Sequence, residues 1–254
     1  MRLADLRLAV RPRRPYEAAD LGLRLVQAEA GAVWRAWFAV TLPVLALVLA
    51  ASLWLQLSAA AFVLWWLKPL YDHALLIVLS RRVFGDTPGT RDMLRLLAGS
   101  VRQGLGSHLL WRRISLSRAY QLPVWLLEDL PAPERQARLA LLGHQYTGRA
   151  QWLQVVMAHF EFFLTLAVLS LLFWFAPEGV VPDLWTLFSG QAPHPAAEAA
   201  TVLAWYAAMS VVEPFYVAAG FSLYLNRRTE LEAWDLELAF RHLRERLAGA
   251  GKAP

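Results

Sequence analysis

The sequence predicts an all-α membrane protein with four transmembrane helices, and three observations lead to that class. Hydrophobic residues make up 57% of the 254 residues, more than the roughly 45–50% of soluble domains. No charged residue occurs from Ala36 to Leu67, and no Lys or Arg occurs from Ala150 to Asn226. Apolar stretches of this length suit a bilayer because its hydrocarbon core requires about 20 apolar residues per helix.

The four predicted spans fall into two helical hairpins within a single membrane domain, residues 1–254. The spans are Ala36–Gln56, Ala59–Ser80, Trp152–Phe175 and Thr201–Leu225. Only a tight turn separates the first two spans, so residues 36–80 form the first hairpin and residues 150–226 the second. Each span approaches the length that crosses about 30 Å of hydrocarbon.

Arginines predict the orientation of the spans. They concentrate in residues 1–35, 81–149 and 227–254, whereas the loop of residues 176–200 carries only acidic charges. The positive-inside rule places the arginine-bearing segments in the cytoplasm. We therefore expect a bacterial inner-membrane protein with both termini cytoplasmic. Arg11, Arg13 and Arg14 interrupt the first residues, so we expect no signal peptide there.

The cytoplasmic segments are predicted to be helical. Residues 1–35 form an N-terminal helix, Leu94–Leu105 and Leu109–Leu116 form amphipathic stretches, and Glu134–Tyr146 leads into the third span. Thr229–Leu247 forms a C-terminal helix, acidic in its first half and basic in its second, as the helix dipole favours. Residues 81–149 either lie on the inner membrane surface or form a small cytoplasmic domain with its own core.

The two hairpins resemble an internal repeat. Lys68-Pro69-Leu70-Tyr71 matches Glu213-Pro214-Phe215-Tyr216 at an offset of 145 residues, and paired arginines follow each phrase. Trp34-Arg35-Ala36-Trp37 and Arg149-Ala150-Gln151-Trp152 introduce the hairpins in a similar way. The pattern predicts two hairpins of the same topology, as in parallel-repeat membrane proteins.

Polar side chains inside the predicted spans are the candidate functional residues, because ionisable groups are costly in a bilayer. They are Lys68, Asp72, His73, His159, Glu161 and Glu213. Counting about 1.5 Å per residue from the nearest cytoplasmic arginine puts Lys68, Glu161 and Glu213 about 20 Å deep and the other three about 12–15 Å deep. Pro69 and Pro214 each leave one carbonyl without its helical partner and loosen the helix there.

Lys68 should find an acidic partner, with Glu213 the first candidate and Glu161 the competing one. Three interpretations remain open. The pair locks the hairpins together, or the charges form a proton or ion path or a site for a charged lipid head group. Alternatively, Lys68 extends its amine to the membrane surface.

Catalytic and metal-binding motifs are absent from the sequence. There is no cysteine, and no His-Glu-x-x-His, Gly-x-Ser-x-Gly, Walker or dinucleotide motif occurs. His159-Phe160-Glu161 lacks the spacing of a metal site. We therefore expect no catalytic residue, metal or cofactor. Because the arginines flank apolar spans, we expect anionic lipid of the inner leaflet, and not nucleic acid, as their partner.

Several phrases resemble a known family. They are Glu17-Ala18-Ala19-Asp20-Leu21-Gly22, Trp65-Trp66-Leu67-Lys68-Pro69-Leu70, Phe84-Gly85-Asp86-Thr87-Pro88 and the run from Gly220 to Glu237. Together they resemble the N-terminal membrane region of proteobacterial proteins named after their C-terminal domain of unknown function 4129. The chain ends at Pro254, so the resemblance implies that it lacks that C-terminal domain. It also implies neighbouring genes for a MoxR-type ATPase and transglutaminase-like membrane proteins, and no known activity.

The sequence thus favours a non-enzymatic inner-membrane scaffold or assembly module that works with other envelope proteins. The alternative is a small proton-coupled transporter or channel that uses the buried charges. A membrane enzyme acting on lipid or cell wall is a third class. A dry, paired cluster of charges would favour the scaffold, whereas charges connected by water would favour transport.

Overall fold

The computed structural model describes residues 11–55, 61–100, 114–175 and 195–233. Within these ranges the chain forms nine helices. They are α1 (Pro15–Ala28), α2 (Ala30–Leu55), α3 (Ala61–Trp66), α4 (Lys68–Val83), α5 (Thr90–Ser100), α6 (Arg118–Leu127), α7 (Ala132–Gly143), α8 (Thr147–Trp174) and α9 (Pro195–Glu232). The predicted all-α class is confirmed.

Three helices are long and apolar enough to cross a membrane: Ala30–Ser52 within α2, Thr147–Trp174 and Ala197–Glu232 within α9. Their presence indicates a membrane location. The predicted second span is described as two helices, α3 and α4, which are separated at Leu67. Pro69 lies in the first turn of α4, where its missing N–H is tolerated. The predicted hairpin tip around residues 56–60 lies outside the described residues.

Helix α9 is the central element, packed against α1, α2, α4, α6, α7 and α8. Helices α1 and α2, interrupted only at Glu29, run antiparallel to it. At one end the backbone N–H of Arg13 donates to Asn226 Oδ1 at 2.8 Å. At the other end Thr41 Oγ1 lies 2.8 Å from the hydroxyl of Tyr206.

The other long helices alternate in direction around α9. Helix α8 is antiparallel to α9, because Asn226 Nδ2 donates to the Tyr146 hydroxyl at 2.8 Å while Trp205 contacts Glu161 farther along. Helix α4 is parallel to α9. Its Lys68 lies beside Glu213, and its last turns share a cavity with Phe221 and residues that follow it.

Burial differs sharply between α4 and α8. Nearly every residue of α4 is buried, including polar ones. In α8 only Ala150 is buried, and large apolar side chains are exposed along its length: Trp152, Phe160, Phe162, Phe163, Leu171 and Trp174. Helix α8 therefore contacts the rest of the chain along one narrow side and presents an apolar surface elsewhere.

The segment between the hairpins departs from prediction in detail. Helix α5 buries Met93 and Leu97 but leaves Leu94 42% exposed, so Leu94 does not share the buried side with Leu97. Val101 and Leu105 lie outside the described residues, as does most of the second predicted stretch. Helix α6, which contains Pro123, was not predicted.

Helix boundaries near the third span and the C-terminal end of α9 also differ from prediction. The helix predicted over Glu134–Tyr146 ends at Gly143, and Gln145 has a φ of 68°, which breaks it before α8. Helix α9 continues to Glu232, and the rest of the predicted C-terminal helix lies outside the described residues.

Polar side chains hold this end of α9 in place. Arg138 on α7 pairs with Glu128 at 2.8 Å and with Glu232. The Tyr146 hydroxyl donates to Glu230. Burial raises the pKa of Tyr146 to about 12, so the phenol keeps its proton at neutral pH and remains a hydrogen-bond donor.

Candidate functional site

The structure brings Lys68, Glu161 and Glu213 together at the start of α4. Lys68 Nζ lies 2.6 Å from Glu161 Oε2 and 2.7 Å from Glu161 Oε1. It also lies 2.9 Å from Glu213 Oε2. The amine therefore joins both candidate acids, and the Lys68 side chain is only 9% exposed. This geometry matches the interpretation as an ion pair and differs from an amine extended toward solvent.

A second cation, Arg118, completes the cluster from the first turn of α6. Its terminal nitrogen donates to Glu213 Oε1 at 2.8 Å, and its Nε lies 2.7 Å from Asp72 Oδ2. We call the five side chains the ion network: Lys68, Asp72, Arg118, Glu161 and Glu213. The network joins α4, α6, α8 and α9, with Glu213 shared between the two cations.

The sequence interpretation did not include Arg118. It lies in a segment whose arginines were all assigned to the cytoplasm, and no spacing distinguishes it from them. The available signal was the charge balance within the predicted spans, where one Lys faced three carboxyl groups. Buried charges require partners, so an additional cation from outside the spans could have been anticipated.

Aromatic and backbone contacts hold the network in position. Trp205 Nε1 donates to Glu161 Oε1 at 2.9 Å. The backbone N–H of Ala119 donates to the Tyr216 hydroxyl at 3.1 Å, and the Arg118 guanidinium lies 5.6 Å from the centre of the Tyr216 ring. Gly220 allows this approach, since a Cβ there would lie 2.5 Å from Ala119 Cβ.

Pro214 has a specific structural consequence next to the network. Its missing N–H leaves the carbonyl of Ser210 without a helical partner, and Trp34 Nε1 donates to that carbonyl at 3.2 Å. Trp37 Nε1 donates to the Ser210 hydroxyl at 2.8 Å. Two tryptophans of α2 thus donate hydrogen bonds to the turn of α9 that Pro214 interrupts.

The two candidate histidines lie beside the network, outside its ion pairs. His73 is buried, and its Nδ1 lies 2.6 Å from the carbonyl of Pro69. His159 is exposed, and its Nδ1 lies 2.7 Å from the carbonyl of Val155. Among the described residues no group of three potential ligands could hold a metal ion.

Contacts with α2 show the position of the network along the helices. The rings of Trp34 and Phe215 lie 6.0 Å apart, and Trp34 also contacts Ser210. Glu213 is therefore level with Trp34 and its exposed neighbour Arg35. The network therefore lies at the arginine-bearing end of the charge-free segment of α2. Its depth in a membrane, about 20 Å by counting residues from Arg227, stays a prediction.

A cavity of about 690 Å³ adjoins the network on the side of α8. Charged, polar and aromatic side chains line it, among them Lys68, Arg118, Glu161, His159, Trp65 and Trp205. The cavity connects the network with the surroundings of the protein. The network side chains are nevertheless largely buried, and the most exposed of them, Glu161, is only 13% exposed.

The arrangement can clamp four helices and can hold or exchange a proton at its carboxyl groups. Comparison of the chain with protein families, curated proteins and solved structures finds no match.

Proposed function

We propose that this chain is an inner-membrane assembly module that presents α8 to other envelope proteins. The observation that carries the proposal is the surface of α8. After Ala150 no residue of α8 is buried, and aromatic side chains such as Phe160, Phe162 and Phe163 are 58–64% exposed. A partner helix packed on this surface would bury side chains that the chain itself leaves uncovered.

The ion network supports this proposal because it would hold the helices that carry α8 in one fixed arrangement. Buried ion pairs contribute little net stability, but removal of one partner is costly, so they favour one arrangement of the helices over others. Lys68, Arg118 and Glu213 fix α4, α6 and α9 relative to each other. Glu161 adds an ion pair to the side of α8 that packs on α9, which positions the helix while leaving its outer surface open.

We further propose four membrane crossings with both ends in the cytoplasm. The alternating directions of α2, α4, α8 and α9 support this topology, with α3 and α4 as the second crossing. The arginine-rich segments would face the anionic inner leaflet. From the resemblance to the domain-of-unknown-function 4129 proteins we propose membership of that family, and a MoxR-type ATPase system as the source of partners.

Site-specific photocrosslinking in cells tests the assembly role. A benzoylphenylalanine at Phe163 on α8 should give adducts with another membrane protein, which mass spectrometry then identifies. The same substitution at Phe38 on α2, which is also exposed at 37%, is the matched control and should give none. Lipid adducts alone at both positions would contradict the proposal.

The cavity beside the network favours a second candidate, a small proton-coupled transporter. A cavity of about 690 Å³ that is lined by Lys68, Arg118 and Glu161 could admit a polar solute. Proteoliposomes that contain the purified chain and a pH-sensitive dye distinguish the two functions. Proton flux that depends on Glu161 would favour transport, and no flux above that of empty liposomes would favour the assembly module.

A further inference from the structure

The ion network contains unequal numbers of cations and carboxyl groups. Lys68 and Arg118 supply two positive charges, and three carboxyl groups face them: Asp72, Glu161 and Glu213. With every group ionised, two minus three leaves a net charge of −1. An uncompensated charge is expensive in a region of low dielectric constant, so a buried group commonly takes up a proton instead.

The three carboxyl groups differ in the donors that they receive. Glu161 accepts from Lys68 and from Trp205. Glu213 accepts from Arg118 at 2.8 Å and pairs with Lys68 at 2.9 Å. Asp72 has only the 2.7 Å ion contact with Arg118 Nε, and neither of its oxygens accepts a hydrogen bond from a described residue.

Asp72 is therefore the carboxyl group with the weakest support for a negative charge. Its side chain is fully buried, and it shares one guanidinium with Glu213: Asp72 Oδ2 lies 2.7 Å from Arg118 Nε, and Glu213 Oε1 lies 2.8 Å from a terminal nitrogen of Arg118. Two carboxylates so close together repel each other, and one shared proton removes the repulsion. A protonated Asp72 would donate to Glu213 and satisfy an oxygen that is otherwise without a partner.

The other groups around Asp72 fit this assignment. Lys68 faces it from its own helix, Arg118 from α6, and Glu213 and Tyr216 from α9. His73 follows Asp72 in α4, and its Nδ1 lies 2.6 Å from the carbonyl of Pro69. Helix α2 carries no charge from Ala36 to Leu55, and α3 carries none. The charged side chains of α5 are exposed. No further cation among these packed helices offsets the extra carboxyl group.

We propose that the ion network binds one proton on Asp72, which donates it to the carboxylate of Glu213, so that the five side chains together are neutral. The proton can exchange with water in the cavity. Asp72 first passes its proton to Glu213. Lys68, which contacts both Glu213 and Glu161, then gives one of its own protons to Glu161 and takes the proton from Glu213. Glu161, which lines the cavity, releases its proton to water there, and the network then carries a charge of −1 until the reverse steps return a proton to Asp72.

Infrared spectroscopy of the purified full chain in detergent at neutral pH tests the assignment. The wild type should show the C=O stretching band of a protonated carboxylic acid, with a shift in D₂O. Asp72→Asn should lose the band, whereas Asp86→Asn, which changes the same residue type in an exposed ion pair with Arg81, should keep it. A wild type without the band, or Asp72→Asn with it, would overturn the proposal.

Thermal stability of the same variants identifies the protonated group. Asparagine resembles a neutral aspartic acid, so Asp72→Asn should leave Tm within the range of the Asp86→Asn control. Glu213→Gln should lower Tm, because both cations lose the carboxylate that they share. An unchanged Tm in Glu213→Gln together with a lowered Tm in Asp72→Asn would place the proton on Glu213 and overturn the assignment. Both measurements use the isolated chain, so they do not depend on whether α8 has a partner.

Discussion

At the scale of single residues, the ion network assigns unequal roles to the two acids beside Lys68. Glu161 pairs with Lys68 and accepts a hydrogen bond from the indole of Trp205, whereas Glu213 pairs with both Lys68 and Arg118. Loss of Glu161 therefore leaves one cation short of a partner, while loss of Glu213 affects two. The stability lost by substituting Lys68 should therefore be recovered to different extents when Glu161 or Glu213 is also substituted.

We predict that Lys68→Met destabilises the chain by about 3–5 kcal/mol, because it leaves buried carboxylates unpaired. Adding Glu161→Leu should recover much of the loss, since the pair is then replaced by apolar side chains. Adding Glu213→Leu should not, because Arg118 would lose its hydrogen bond. Thermal unfolding in detergent measures each variant, and equal rescue by both double variants would contradict the unequal roles.

The contact between Trp34 and the carbonyl of Ser210 leads to a second prediction. Trp34→Phe should cost about 1 kcal/mol, because the carbonyl loses its donor. In a Pro214→Ala background the helix can supply its own N–H to that carbonyl, so Trp34→Phe should cost clearly less. A double-mutant cycle on thermal stability measures the coupling, and additive effects would show that the indole contributes only by packing.

Residue identity alone predicted part of the site. The cost of burying charge singled out Lys68, Asp72, Glu161 and Glu213, which the structure brings together. The depth of about 20 Å stays a prediction, because it counts residues along α9 from Arg227 alone. In the structure α1 packs alongside the last turns of α9, so that part of the helix has protein around it well beyond the level of Arg35.

At the scale of helices, close backbone contacts determine how α9 packs. A Cβ at Gly22 of α1 would lie 2.4 Å from the carbonyl oxygen of Ala218, and one at Gly220 would lie 2.5 Å from Ala119 Cβ. Real Cβ atoms do not approach that closely, so α1 and α6 would have to move. Gly31 of α2, in contrast, has nothing within 4 Å of its Cβ position.

We predict that Gly22→Ala and Gly220→Ala each destabilise the chain by about 1–3 kcal/mol through overpacking. Gly31→Ala is the matched control and should leave stability unchanged or raise it by up to about 1 kcal/mol, since Ala favours the helix. Thermal midpoints in detergent measure all three variants. A loss at Gly31 equal to that at Gly22 would show that the close contacts are not responsible.

Helix α5 provides a prediction about its orientation. Spin labels at Met93 and Leu97 should be shielded and poorly mobile, because both side chains are buried against the chain. Labels at Leu94 and Arg95, which are exposed, should be mobile. Electron paramagnetic resonance in nanodiscs measures mobility and access to water. Equal mobility at all four positions would contradict the packing of α5 against α4.

Periodicity predicted the long apolar helices well and the shorter ones less well. A continuous apolar run is sufficient to identify α2, α8 and α9. The break at Leu67 lies directly before Lys68 and Pro69, where the proline predicted a loosened helix, but the second span was predicted as one continuous helix. Periodicity also did not reveal α6, because Pro123 usually ends a helix and here lies within one.

At the scale of the whole molecule, the directions of the helices constrain the topology. Helices α2 and α8 are antiparallel to α9, and α4 is parallel to it. The four long helices therefore alternate in direction along the chain, with α4 running back between α2 and α8. The positive-inside pattern leads to the same arrangement from the sequence alone. The repeat remains a prediction, although its matched residues Lys68 and Glu213 are in direct contact.

We predict that topology reporters fused after Arg82 and after Glu232 will report the cytoplasm, and that a reporter at Gly190 will report the opposite side. Paired alkaline phosphatase and green fluorescent protein fusions give reciprocal signals and serve as controls for expression. A periplasmic signal after Arg82 would contradict the four crossings that we propose and would leave three.

The central position of α9 has a consequence for how the protein is made. Ribosomes synthesise the chain from its N-terminus, so every other described helix leaves the ribosome before α9. Until α9 arrives, Lys68 and Arg118 lack Glu213, and α1 lacks the surface that buries Gly22. Biogenesis must therefore hold several charged, partly inserted helices in an unassembled state. An insertase or membrane chaperone that shields them would be needed most in the interval between the synthesis of α8 and that of α9.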